Sequence, residues 1–127
     1  MGFRVFWQSP QRILCVELAG NLSLDDLDRV NAAVNHHFGD PLANQRLALL
    51  IDVSQLHQIP QNFAELKASQ TYAMRRDLKY IVVVGSNKFM RLMMMLTFNL
   101  SVASLRFFDT TDQALRFIDM AIPALSR

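Results

Sequence analysis

The hydrophobic pattern along the chain changes period several times, and each change marks an element. Phe3, Val5 and Trp7 alternate with less buried-looking neighbours, Ser9-Pro10-Gln11 turns, and Leu14, Val16 and Leu18 alternate again within Arg12–Leu18. Two such runs joined by a Pro-containing turn predict an antiparallel hairpin, with Ile13, Cys15 and Glu17 on the other face of its second strand. Gly20-Asn21 ends that strand. Leu24, Leu27, Val30, Val34 and Phe38 follow at spacings of three or four, which is one face of a helix. Ser23 is placed to cap it, Asp25 and Asp26 suit its positive end, and Gly39-Asp40-Pro41 closes it.

Leu47–Asp52 reads as a buried strand ending in a carboxylate, followed by a loop from Val53 to Gln61 and a helix from about Asn62 to Arg76. Phe63, Leu66, Tyr72 and Ala73 supply the inner face of that helix. Tyr80–Val84 is an unbroken, largely β-branched apolar run, as in a strand covered on both faces. Gly85-Ser86-Asn87 turns the chain, and Lys88–Leu100 reads as a helix with almost no polar side. Leu105–Asp109 is the last strand. A closing helix capped by Thr111 or Asp112 turns Ala114, Leu115, Ile118 and Ile122 inward, and Pro123 limits it. The order predicts an α/β fold: an N-terminal β-hairpin, then alternating helices and strands, in one domain over residues 1–127. Its central sheet is mostly parallel, with about five strands and about four helices.

Composition narrows the class. The chain is 51% hydrophobic and 19% charged, as in a globular domain, and its net charge of +2 gives no general attraction to nucleic acid or anionic lipid. The halves differ: four Lys/Arg against six Asp/Glu in residues 1–63, nine against five in residues 64–127. The single Cys15 excludes an internal disulfide and suits a reducing compartment. Met1–Trp7 lacks the apolar core of a signal peptide, and the longest apolar segment, Leu92–Leu96, is far too short for an integral membrane span. The expectation is a soluble cytoplasmic protein.

Catalytic chemistry has little to work with. Asp52 ends a strand with His57 five residues on, but no nucleophile with a base and an orienting group can be assembled by spacing, and the adjacent His36 and His37 cannot share a helix face. The His, Cys and carboxylate spacings match no metal site, so neither enzyme activity nor a cofactor is expected. Ser86, Asn87 and Lys88 form a candidate anion site at a helix start. The unusual feature is the Met-rich helix, where Phe89, Met90, Met93, Met94 and Phe98 are the candidate surface for a partner or an apolar ligand. A helix apolar all round needs cover on every side, and methionine suits adaptable contacts. Either the helix is sunk in the core of its own domain, or its cover is a protein partner, a second copy of the chain, or an apolar, lipid-like small molecule.

Leu18-Ala19-Gly20-Asn21-Leu22 before the first helix, Leu49-Leu50-Ile51-Asp52-Val53-Ser54 at the middle strand, and Phe107-Phe108-Asp109 followed by Ala114-Leu115 make the chain resemble a known family. Over roughly Arg12 to Ile118 it is similar to the STAS family, the anti-sigma-factor-antagonist-like domains. The likeness is greatest to a bacterial group of small proteins classed with STAS and CRAL-TRIO-type lipid-binding domains. That resemblance implies a non-catalytic regulatory binding module. The family's Asp-Ser-Ser-Gly phosphorylation motif falls on Pro60-Gln61-Asn62-Phe63, where neither serine is present. The resemblance therefore implies partner contact without the usual phosphoserine switch.

Overall fold

Five strands form one sheet in the order β1 (Gly2–Ser9), β2 (Ile13–Asn21), β3 (Leu47–Gln58), β4 (Leu78–Val84) and β5 (Ser104–Phe108). The β1–β2 pair is an antiparallel hairpin, and every later pair is parallel. The computed structural model describes residues 2–41 and 44–123, apart from the side chain of Phe63. The helices are α1 (Leu24–Phe38), α2 (Phe63–Ser69), α3 (Lys88–Phe98) and α4 (Thr111–Ala121), with a 3₁₀ turn at Thr71–Met74.

The spatial order of the strands repeats their order in the chain. Right-handed crossovers that always step in the same direction put their helices on the same face. The core is divided accordingly. Leu27, Val30, Val34 and Phe38 of α1, Leu66 of α2 and Met90, Met93, Met94 and Phe98 of α3 pack on Leu14, Val16, Leu49, Ile51, Ile81 and Val83. Among the described residues the opposite face is covered by one helix, α4, whose Ala114, Ile118 and the following Ile122 pack on Ile13, Cys15, Leu50 and Val82. The odd and even residues of β2, β3 and β4 thus enter separate cores, as the alternation in β2 predicts.

Helix boundaries follow local chemistry. Ser23 and Asp26 form a reciprocal capping box on α1, with Ser23 Oγ accepting from the Asp26 amide at 3.1 Å and Asp26 accepting from the Ser23 amide at 2.8 Å. Gly39, at φ 65°, ends α1 in a conformation that glycine adopts at low cost. Thr110, rather than Thr111 or Asp112, caps α4 by accepting from the Gln113 amide.

Two expectations change. The segment after Asp52 is not a loop: β3 runs on to Gln58, pairing only with β2 beyond Asp52. Opposite Glu17–Asn21, β3 carries two extra residues, which break the inward–outward alternation and hide the strand from a period-two reading. Asp52 initiates the first irregularity by accepting from the amide and hydroxyl of Ser54 at 2.9 and 2.6 Å. The segment Asn62–Arg76 is likewise not one helix. It stops at Ser69 because Gln70 turns inward, donating to the Leu27 carbonyl and Ser69 Oγ while accepting from the Tyr72 hydroxyl at 2.7 Å.

A buried ion pair fixes the entrance to β4. Arg75 donates to both oxygens of Asp77 at 2.9 and 2.7 Å, donates to the Gly39 carbonyl, and lies over the Phe38 ring. Asp77 also accepts from Gln45. Removing one partner of such a pair leaves the other charge without compensation in a desolvated site. Arg75→Met is expected to lower the unfolding free energy by about 3–5 kcal/mol in urea titration. Arg29→Met, removing an exposed pair with Asp25, should change it by less than about 0.5 kcal/mol.

Candidate interaction surface

Asn87 starts α3 by accepting from the Met90 amide at 2.9 Å. Gly85 precedes it at φ 147°, so close to β3 that an added Cβ would lie 3.0 Å from Val53 Cγ2. That close approach sets the helix down on the sheet. Arg91 then clamps its first turns, donating from Nε to the Gly85 carbonyl and from Nη2 to Asp109, both at 2.7 Å. The orientation of α3 about its axis is thereby fixed.

Its two sides are chemically alike but physically different. Met90, Met93, Met94, Thr97 and Phe98 are buried against the sheet, and Thr97 returns its hydroxyl to the Met93 carbonyl. Of the five residues expected to form a contact surface, only Phe89 is exposed. Met90, Met93, Met94 and Phe98 recur at the spacing of the face that the sheet covers, so a partner cannot reach them. The outer face instead shows Phe89, Leu92 and Met95, each near 48% exposed, with Leu100 at 70% just beyond the helix and Met74 at 60% beside it. Nothing in the sequence distinguishes Leu92, Met95 and Leu100 from the buried set, because an all-apolar helix carries no periodic signal to tell its faces apart.

Two hollows flank α3. Beneath it, Leu18, Val30, Ile51, Tyr72, Met94 and Phe98 are among the walls of a cavity of about 20 Å³. At its outer edge, Ala64, Lys67 and Ala68 of α2 face Met74, Thr97 and Leu100 across an open groove of about 630 Å³. Alanines at i and i+4 on α2 leave that groove unfilled.

The remaining candidates do not converge. Ser86, Asn87 and Lys88 are exposed, and the Asn87 side chain already occupies the helix start as its cap. Pro60, Gln61, Asn62 and Phe63 do lead into α2, where Asn62 accepts from the Glu65 amide at 3.1 Å; the Phe63 side chain lies outside the described residues. His57 is exposed, and Asp52 is engaged by Ser54. Cys15 is buried, and burial, reinforced by the nearby carboxylates of Glu17 and Asp52, pushes its thiol up to about 12. Among the described residues, no group of three or more His, Cys, Asp or Glu is placed to hold a metal ion, and no helix is long and apolar enough to cross a membrane. The sheet itself offers no crevice of the usual kind, since ligands in open α/β sheets gather where strand order reverses and here it does not.

The SpoIIAA-like family model matches residues 13–119. The chain belongs to the SpoIIAA-like family. This agrees with the STAS resemblance seen in the sequence and with nearly the same limits. A similar solved structure is that of an uncharacterized protein of the DUF3478 family with a SpoIIAA-like fold from Shewanella loihica, matching at a TM-score of 0.69 and 15% identity over 92% of this chain and 94% of that one. At that identity the likeness establishes the fold. No curated protein matches this SpoIIAA-like chain.

Substitutions on the two sides of α3 should separate sharply. Met94→Lys places a charge in the core and is expected to cost about 3 kcal/mol or more in denaturant unfolding. Leu92→Lys should stay within about 0.5 kcal/mol of the parent. Cys15 is expected to resist a disulfide reagent at pH 8 in the folded state and to react at once in denaturant, as read by absorbance.

Proposed function

We propose that this SpoIIAA-like protein is a non-catalytic regulatory module that works by protein–protein contact through the outer face of α3. The observation that carries the reading is the row Phe89, Leu92, Met95 and Leu100: large apolar side chains left in water on a helix whose other side already fills the core. Several large apolar side chains exposed on one helix, with Leu100 also lining an open groove, have the character of an interaction site, and adaptable methionines suit it to protein surfaces. SpoIIAA-like domains are often regulatory protein-interaction modules, in keeping with this reading. The loop before α2 has no serine at Gln61 or Asn62, so contact is proposed to be governed by partner concentration and not by phosphorylation there.

Carriage of an apolar small molecule has less support. The cavity under α3 is about 20 Å³, close to the room one water needs, whereas ligand pockets run to roughly 300–1,000 Å³.

Site-specific photo-crosslinking in cells tests the contact. A crosslinker at Leu92 or Met95 is expected to yield discrete protein adducts, whereas one at Arg116, exposed on α4, should yield none. Adducts equal at all three positions, or absent from all, would sink the reading.

A further inference from the structure

Strand β1 lies at one end of the sheet, and among the described residues β2 is the one strand that pairs with it. Beyond that ladder, the one backbone bond that reaches β1 among those residues runs from the Arg12 amide to the Ser9 carbonyl, inside the hairpin turn. An eight-residue edge of this kind leaves alternate peptide groups without an intramolecular partner, a template for a further strand. The protections that edges commonly carry are missing. Gly2–Ser9 holds no proline or lysine, and its irregularity comes only at the end, between Trp7 and Ser9. Its one charge, Arg4, is already paired with Glu17 on β2 and lies over the Phe6 ring, so covering this edge strands no charge. Phe3, Val5 and Trp7 pack on the first core and Phe6 on the second, yet all four remain only partly buried. The opposite edge, β5, is five residues long with Ser104 and Arg106 exposed.

From this we infer that β1 pairs antiparallel with β1 of a second copy about a two-fold axis at Val5, joining two five-stranded sheets into one. The strand is complementary to itself read backwards, as a two-fold contact requires. With Val5 opposite Val5 of the second copy, Phe3 meets Trp7 of the second copy on the face that α1 packs, and Arg4 meets Phe6 of the second copy on the other. Ring on ring and guanidinium on ring are pairs that stabilise antiparallel sheets. Neighbouring registers fit less well. An axis at Arg4 sets guanidinium against guanidinium, and an axis at Phe6 sets Phe3 opposite Ser9, beyond the irregularity. A slip of one residue would put the two α1 layers on opposite faces of the joined sheet.

This pairing goes beyond the α3 contact and does not depend on it. Helix α3 is held at the β5 end of the sheet by the Arg91–Asp109 pair, so a β1 dimer leaves two outer α3 faces free at its far ends. Such a dimer would grip a repeated partner by avidity.

Sedimentation and cysteine trapping of the full chain test the inference. The parent is expected to sediment as a dimer at high micromolar concentration. Under mild oxidation Val5→Cys should form a covalent dimer about tenfold faster than Gln8→Cys or Ser104→Cys, because directly opposed residues bring their Cβ atoms within disulfide reach. Cys15 stays in place, being buried. Val5→Asp should sediment as a monomer, with a thermal melt confirming the fold; the trapping result stands without that variant. A monomeric parent, or Val5→Cys trapped no faster than Ser104→Cys, would overturn the pairing. A dimer trapped through Leu92→Cys instead would also overturn it, while supporting the α3 contact.

Discussion

A parallel sheet cannot leave either face to water, and everything in this molecule answers to that requirement. β3 and β4 are apolar along most of their shared length, and Leu49, Leu50, Val82 and Val83 point alternately into two cores. Because the strands step across the sheet in chain order, three crossover helices accumulate on one side. The crowded side contains room to spare for contacts outward: α3 covers the β4–β5 end of the sheet with one set of residues and still has an apolar set left over. A helix that had only to complete a core would need the first set alone.

The elements with a clear period were legible in the sequence. The hairpin faces, the whole of α1 and the inward side of α4 follow from spacing, and the SpoIIAA-like match begins and ends within a residue of where the resemblance was drawn. What failed had a physical cause in each case. β3 beyond Asp52 was hidden because two extra residues destroy its alternation, so Val53 and Leu56 point inward without the even spacing a strand advertises. The break at Gln70 was hidden because no glycine or proline makes it. A glutamine folds into the core instead, and its amide is satisfied only in three dimensions.

The candidate site shows the same limit more sharply. Helix α3 was recognisable as the unusual element, but its exposed side was not, since Met90 and Met95 look alike in a one-dimensional pattern. The clamp by Arg91 on the Gly85 carbonyl and Asp109 decides which methionines turn inward. Tertiary contacts at the helix start thus select the chemistry displayed along the rest of it.

The uneven division of helices has a consequence for the chain's birth. Since α4 is the one helix among the described residues that seals the second face, a growing polypeptide that has already made the five strands still shows Ile13, Cys15, Leu50 and Val82 to its surroundings until residues 111–122 leave the ribosome. The latch that then holds the seal lies just before β2, where Arg12 bonds the Ile122 carbonyl and pairs with Asp119. Closure of the second core thereby waits on the synthesis of α4, and fragments that stop short of that helix would present a bare strand surface to chaperones and proteases.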